Sequence, residues 1–157
     1  MKTEALAREV ISRLTDEGRT LSTAESCTGG LLGKLLTDIP GASNAYKGGV
    51  ISYVNEVKHR VLGVEQETLD VCTAVSRETA HEMAKGTRSL LKADVGVSTT
   101  GLAGPDGDGT GRPVGLLYIA LDMEGFSYSR ELHLKGDRAE IRAQAAHEAL
   151  SMLLEFL

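Results

Sequence analysis

Apolar residues recur every three or four positions over several stretches of the chain, which is the spacing of an amphipathic helix. The first stretch covers residues 2–17 and ends at Gly18, a residue suited to a helix C-terminus. Asn55 and Ser76 are candidate helix caps, because their side chains can accept a hydrogen bond from the first turn. The remaining helices are predicted at residues 27–38, 55–63, 76–91 and from 137 to near the end of the chain.

Shorter apolar runs separate these helices and predict strands. Helices alternate with the first three strands, whereas the last two strands follow one another directly. That order predicts one three-layer α/β/α domain over residues 1–157, with a mixed, mostly parallel five-stranded sheet. Ligands of such sheets usually bind beyond the carboxyl ends of the strands. The predicted strands are residues 20–24, 46–53, 95–99, 114–121 and 126–134.

Composition narrows the class of partner. The 157 residues include 17 basic and 22 acidic side chains, a net charge of -5, without the dense run of lysine and arginine that follows a nucleic-acid backbone. The longest apolar run, residues 114–121, is far shorter than the ~20 residues of a membrane-spanning helix. Charges interrupt the N-terminus where a signal peptide is apolar, and two cysteines make no disulfide framework. We therefore expect a cytoplasmic protein that binds neither nucleic acid nor membrane.

The segment TAESCTGG, residues 23–30, places two candidate nucleophiles at a predicted junction between strand and helix. A hydroxyl there would lie among free N–H groups at the positive end of a helix dipole, which favours developing negative charge. Taken alone, Ser26 is better interpreted as an ordinary N-cap, a role that serine fills very often. Gly29 and Gly30 lower helix propensity at this point, so we expect a group to approach the backbone closely, with substrate the obvious candidate.

Five spaced motifs together resemble one known family. In chain order they are residues 23–30 (TAESCTGG), 49–58 (GVISYVNEVK), 74–76 (AVS), 100–105 (TGLAGP) and 136–138 (GDR). Over nearly its whole length the chain resembles the CinA C-terminal domain family, the nicotinamide-nucleotide amidases. The resemblance implies hydrolysis of the carboxamide of nicotinamide mononucleotide to nicotinate mononucleotide and ammonia, in pyridine nucleotide recycling. It implies a serine and lysine mechanism without metal or cofactor.

The same resemblance assigns catalytic roles. It makes Ser26 the nucleophile, Lys58 its general base and Tyr53 a neighbour that helps proton transfer. Amide hydrolysis needs a base for the serine proton and an acid for the departing ammonia, and one lysine can do both in turn. The pKa of such a lysine must fall by roughly three units from ~10.4, which requires burial near an apolar wall or a second cation. Without the resemblance, Lys58 is interpreted as an exposed helical lysine and Tyr53 as a half-buried aromatic at a strand end.

Substrate contacts are expected from the loops at the carboxyl rim of the sheet. Arg138, at the start of the last helix, is the candidate for the phosphate, and a surface salt bridge is its ordinary alternative. Where the family usually carries a glycine pair after Gly104-Pro105, this chain has Asp106-Gly107. The other expected substrate-binding residues are Glu25, Thr28, Gly29 and Gly30, which would shape the pocket or its oxyanion site, and Asn55, Thr100 and Gly101.

Several alternatives stay open. Cys27 is a second nucleophile, because the pKa of a thiol at a helix N-terminus can be depressed, but no histidine lies in any motif and a small packed residue is the simpler interpretation. Ser89 and Lys92 fit the S-x-x-K pattern of penicillin-recognising enzymes, although the accompanying boxes occur in reversed order. A noncatalytic nucleotide-sensing module, associated with competence or DNA damage, is another class. The four histidines are scattered and predict no metal site, and pairing into a homo-oligomer is compatible with the sequence.

Overall fold

The computed structural model describes residues 1–157 and contains five strands in a single sheet. The strands are β1 (Leu21–Glu25), β2 (Tyr46–Ile51), β3 (Val95–Gly101), β4 (Leu116–Met123) and β5 (Phe126–His133). Their spatial order is β2-β1-β3-β4-β5, with β1 parallel to both of its neighbours and β4 antiparallel to β3 and β5. Four strands therefore run one way and one runs against them, which confirms the predicted mixed sheet.

Helices cover both faces of this sheet. They are α1 (Thr3–Glu17), α2 (Leu31–Thr37), α3 (Asn55–Arg60), α4 (Gln66–Val71), α5 (Arg77–Leu91) and α6 (Arg138–Phe156). Residues of β4 alternate between the faces, as a strand buried on both sides must. Leu117 and Ile119 join the core formed with α1, α2 and α6, whereas Ala120 packs on the alanines of α5. The predicted three-layer α/β/α domain is confirmed.

The helix ends follow their local sequence signals in most places. Gly18 ends α1 in the left-handed region with φ 65°, and Ser76 accepts a hydrogen bond from the Thr79 N–H at the start of α5. Asp137 and Glu140 form a reciprocal capping box at the start of α6. The predicted cap at Asn55 is wrong, because Asn55 is already the first helical residue and its side chain makes no capping bond.

Two helices depart from the predicted pattern. The helix expected from residue 27 begins only at Leu31, because Gly29 and Gly30 have φ of 58° and 104°, values that no right-handed helix contains. Residues 26–30 form a turn instead. Helix α4 was not predicted, since it has six residues and only Leu69 of them is buried, too little for a periodic signal. None of the helices combines the length and the apolar character that crossing a bilayer demands.

Candidate active site

The carboxyl ends of β1, β2 and β3 meet at one edge of the sheet. From β1 the chain passes to neighbours on opposite sides, so a topological switch point lies here, where α/β sheets usually bind ligands. A cavity of about 230 Å³ opens at this edge. Eight residues named in the sequence analysis line it: Ser26, Cys27, Tyr53, Asn55, Lys58, Thr100, Gly101 and Arg138.

Lys58 and Ser26 are in direct contact. Lys58 Nζ lies 2.9 Å from Ser26 Oγ, 2.8 Å from the Ser52 carbonyl oxygen and 3.2 Å from the Tyr53 carbonyl oxygen. Carbonyl oxygens only accept, so two amine hydrogens point to them and the remaining position of the nitrogen faces the serine. In the neutral amine that position is a lone pair. The arrangement therefore suits transfer of the Ser26 hydroxyl proton to Lys58.

Burial makes the neutral amine accessible near physiological pH. Lys58 is only 1% exposed, so the interpretation as an exposed helical lysine is wrong. Loss of hydration lowers its pKa from 10.5 to about 8. At pH 7 about one molecule in ten then carries the neutral amine, against fewer than about one in a thousand for a free lysine. The drop comes from desolvation, one of the two causes expected from the sequence, and no second cation contributes to it.

The carboxylate of Glu25 holds the turn that carries Ser26. It is 2% exposed and accepts hydrogen bonds from the Thr28 hydroxyl at 2.6 Å and from three backbone N–H groups at the start of α2, at 2.8 to 3.2 Å. The Thr28 hydroxyl also lies 2.7 Å from Thr99 Oγ1. Neither Glu25 nor Thr28 lines the cavity. Their contacts hold the turn against α2 and β3, so the structure does not place them in the pocket wall as expected.

Gly29 and Gly30 also lie outside the cavity wall. A Cβ atom on Gly29 would come within 3.0 Å of Arg142 Nη2, and one on Gly30 within 3.0 Å of Ile51 Cδ1. Groups do approach the backbone here, as the sequence predicts, but they are side chains of the protein and not substrate. The positive φ of both residues further favours glycine.

Two backbone N–H groups next to the serine remain without an acceptor. The Ser26 N–H donates to the Thr99 carbonyl and the Gly29 N–H donates to the Ser26 carbonyl, whereas those of Cys27 and Thr28 make no hydrogen bond within the protein. The first N–H groups of α2 are taken by Glu25, so the expected help from a helix N-terminus is absent. Only Cys27 of these two lines the cavity, whereas Thr28 is fully buried, so the candidate oxyanion donor is the Cys27 N–H.

Tyr53 and Arg138 are joined at the cavity mouth. Arg138 donates from Nη2 to the Tyr53 hydroxyl at 2.9 Å and from Nη1 to the Gly104 carbonyl at 2.7 Å. No carboxylate lies within salt-bridge distance of Arg138, so its interpretation as a surface ion pair is wrong. A guanidinium has five N–H groups, and three stay available to an anion. Tyr53 is 57% exposed, which makes it a mouth residue and not a half-buried aromatic.

The other candidate nucleophiles, Cys27 and Ser89, lack a suitable environment. Burial raises the pKa of the Cys27 thiol to about 12, so the thiolate is not available at neutral pH. Ser89 and Lys92 are exposed at the far end of α5 and neither lines the cavity.

A larger groove of about 550 Å³ lies between α5 and the β4-β5 hairpin, but Arg88 and Asp122 pair with each other inside it. No three His, Cys, Asp or Glu side chains are grouped as metal ligands.

Some residues of the site were not identified from the sequence. Ala74, Val75, Leu102, Ala103 and Asp108 line the cavity. The first four stand inside the quoted motifs AVS and TGLAGP, so the motifs signalled their place but not their contact with the cavity. Nothing in the local sequence distinguishes Asp108 from its loop neighbours. Arg142, which contacts the serine turn from α6, gave no signal either, because one arginine in an amphipathic helix is ordinary.

The fold and the buried pair define a class: an α/β domain with a serine and a lysine in contact at the switch point of a mixed sheet. Comparison with known families makes this specific. The family described as the CinA C-terminal domain matches residues 3–157. The chain belongs to that family, as its motifs indicate.

Relatives and solved structures agree with this assignment. A CinA-like protein of Syntrophomonas wolfei is 45% identical over 154 residues, which cover 98% of this chain and 37% of that protein. The chain thus spans little more than a third of the length of such curated relatives. The competence/damage inducible protein CihA from Agrobacterium tumefaciens has a TM-score of 0.94 at 41% identity, over 98% of this chain and 94% of that one. The competence damage-inducible protein A from Klebsiella pneumoniae has a TM-score of 0.97 at 36% identity, over 99% and 97%.

Proposed function

We propose that this domain is an amidohydrolase that converts nicotinamide mononucleotide to nicotinate mononucleotide and ammonia. The observation that carries the proposal is the distance of 2.9 Å between Ser26 Oγ and the Nζ of Lys58, a lysine whose pKa is lowered by burial. Choice of the substrate rests on the family resemblance. The relatives are named for CinA or for competence and damage, and none of these names identifies a substrate.

The first half of the reaction forms an ester. Neutral Lys58 takes the hydroxyl proton as Ser26 Oγ bonds to the carboxamide carbon. The Cys27 N–H stabilises the negative charge that develops on the carboxamide oxygen. Lys58, now charged, returns a proton to the amide nitrogen as the carbon–nitrogen bond breaks, and ammonia leaves. Lys58 is neutral again and Ser26 carries the nicotinoyl ester.

The second half repeats these steps with water. Lys58 takes a proton from water as the water oxygen bonds to the ester carbon, and the Cys27 N–H again stabilises the oxyanion. Return of the proton to Ser26 Oγ breaks the ester and releases the carboxylic acid, which loses its remaining proton to solvent and becomes the carboxylate. The Ser52 and Tyr53 carbonyl oxygens hold Nζ in both halves, because each continues to accept one of its hydrogens.

Arg138 is the proposed phosphate ligand. The Tyr53 hydroxyl and the Gly104 carbonyl fix its guanidinium at the cavity mouth, and its remaining donors suit a phosphate. A fixed planar donor group loses little conformational freedom when the anion binds. The proposal therefore places the nicotinamide end of the substrate beside Ser26 and the phosphate at the mouth.

Ammonia release tests the proposal directly. The purified domain is incubated with nicotinamide mononucleotide, and ammonia and nicotinate mononucleotide are quantified. We expect both products in equal amounts from the wild type and none from Ser26→Ala, which should still bind the substrate. Binding without turnover by the wild type would contradict the proposal in favour of a nucleotide-sensing module. Undiminished turnover by Ser26→Ala would remove Ser26 from its role.

A further inference from the structure

The turn that carries Ser26 is held from two sides. Glu25 takes N–H groups on the α2 side, as described above. On the other side two carbonyl oxygens point towards α6 and accept from one arginine. Arg142 donates from Nε to the Cys27 carbonyl at 3.1 Å and from Nη2 to the Thr28 carbonyl at 3.0 Å. The half-buried guanidinium therefore bridges two consecutive peptide units directly after the serine.

Gly29 has the shape that this contact requires. A Cβ atom at position 29 would lie 3.0 Å from Arg142 Nη2, which is too close for the guanidinium to keep its place. The φ of 58° at Gly29 also lies in the left-handed region, which a residue with a side chain rarely adopts. Glycine at this position and arginine at position 142 thus depend on each other.

The contact reaches the chemistry through two peptide units. The carbonyl and N–H of a planar trans unit point in opposite directions, so fixing the Thr28 carbonyl on Arg142 fixes the direction of the Gly29 N–H. The Gly29 N–H donates to the Ser26 carbonyl, whose own unit carries the Cys27 N–H, the candidate oxyanion donor. A cation at the start of this chain of hydrogen bonds also polarises both units and makes the Cys27 N–H a stronger donor.

We infer that Arg142 is a positioning residue, which holds and polarises the oxyanion-binding peptide from outside the cavity. The inference rests on the proposed hydrolase function. Arg142 does not line the cavity, so it acts through the peptide and not on substrate. Loss of the guanidinium should slow the chemical steps and leave substrate binding intact.

The test compares Arg142→Ala and Arg142→Lys with a matched control, Arg13→Ala. Arg13 is also a half-buried arginine that donates to a backbone carbonyl, that of Leu154, at 3.1 Å and far from the serine. We expect Arg142→Ala to lose about 10- to 100-fold in kcat with KM within about twofold of wild type. The kcat of Arg142→Lys should lie between those of the wild type and Arg142→Ala, because an ammonium reaches only one of the two carbonyls. Millimolar guanidinium should partly restore the kcat of Arg142→Ala. Arg13→Ala should keep its kcat.

A second readout does not depend on the substrate. A fluorophosphonate that labels active serines passes through a similar oxyanion, so its rate of addition to Ser26, followed by intact mass, should fall in Arg142→Ala as kcat does. Ser26→Ala provides the background. If the wild type releases no ammonia but is still labelled at Ser26, and Arg142→Ala is labelled more slowly, the amidase proposal is wrong and the positioning role of Arg142 is supported. Equal labelling rates, or a loss in kcat matched by Arg13→Ala, would overturn the role of Arg142.

Discussion

The hydroxyl of Tyr53 accepts a hydrogen bond from Arg138 Nη2 at 2.9 Å and makes none with Ser26 Oγ or Lys58 Nζ. Tyr53 meets Lys58 through its backbone carbonyl instead, at 3.2 Å from Nζ. Tyr53 therefore has two separate contacts. Its carbonyl holds the Lys58 amine, and its hydroxyl orients the Arg138 guanidinium at the cavity mouth. The expected part of Tyr53 in proton transfer has no contact in this arrangement to support it.

Tyr53→Phe should affect substrate binding more than chemistry. The substitution removes the bond to Arg138 and keeps the backbone carbonyl that holds Lys58 Nζ. We expect KM for nicotinamide mononucleotide to rise about three- to tenfold, the range for net loss of one ordinary hydrogen bond, with kcat within about twofold of wild type. Steady-state kinetics of ammonia release measure both. A large loss in kcat at unchanged KM would restore Tyr53 to proton transfer.

Turnover should depend on pH through Lys58. The amine acts as a base only when neutral, and burial lowers its pKa to about 8. We therefore expect kcat at saturating substrate to rise close to tenfold per pH unit below that pKa and to level off above it. Measurements from pH 6.5 to 9.5 cover the range. A profile that is flat between pH 7 and 9 would contradict Lys58 as the base.

The same pKa makes a prediction about stability. Lys58 titrates near 10.5 when unfolded and near 8 when folded, so between these values the unfolded state binds more protons and stability rises with pH. Below pH 8 both states are charged, and the fold carries the full cost of about 3 kcal/mol. Relative to Lys58→Met, the wild type should gain about 2 to 3 kcal/mol of unfolding free energy from pH 7 to pH 10.

Urea denaturation of both proteins at the two pH values checks this, and the comparison cancels the titration of all other groups. Lys58→Met should fold at neutral pH, because it removes the buried charge. The same substitution leaves the Ser52 and Tyr53 carbonyls without a donor, which offsets part of that gain. An unchanged difference between the two proteins across the range would mean that Lys58 is not desolvated in solution.

The sequence predicts the sheet well because its signals are local. Alternation and helical spacing are written into each segment, and caps such as Ser76 need only the residues beside them. The pairing of Ser26 with Lys58 is different, since 32 residues separate them and no spacing rule joins a turn to a later helix. It was predicted through the family motifs and not from the spacing of the two residues.

Glu25, Gly29 and Arg142 show where such reasoning ends. An acidic residue and a glycine beside a nucleophile suggest a pocket, but what they contact depends on the packing of α2 and α6 on the turn. Arg142 lies 114 to 115 residues from the carbonyls it holds. No pattern in a single sequence indicates such a contact, so the residues that hold the serine turn in place can be identified only from the structure.

Glu25→Gln should destabilise the domain. The carboxylate accepts four hydrogen bonds while 2% exposed, and an amide would turn its own N–H groups towards backbone donors. We expect a loss of about 2 to 4 kcal/mol in unfolding free energy, measured by urea denaturation at pH 7. Glu56→Gln is the control, because its ion pair with Arg60 is exposed on α3 and should change stability by less than about 0.5 kcal/mol. Equal effects of both substitutions would contradict the role given to Glu25.

Asp108 should help to bind the pyridinium ring of the proposed substrate. It is the one carboxylate on the cavity wall, and a hydrogen bond from the Thr110 hydroxyl lowers its pKa, which keeps it charged. Nicotinamide mononucleotide carries a cationic ring as well as a phosphate, and Arg138 is the proposed partner of the phosphate. We expect Asp108→Asn to raise KM about two- to fivefold, the range of a partly exposed charge pair, with little change in kcat. Asp106→Asn, in the same loop but outside the cavity wall, is the matched control and should leave KM unchanged. A lower KM in Asp108→Asn would show that the carboxylate faces the phosphate and repels it.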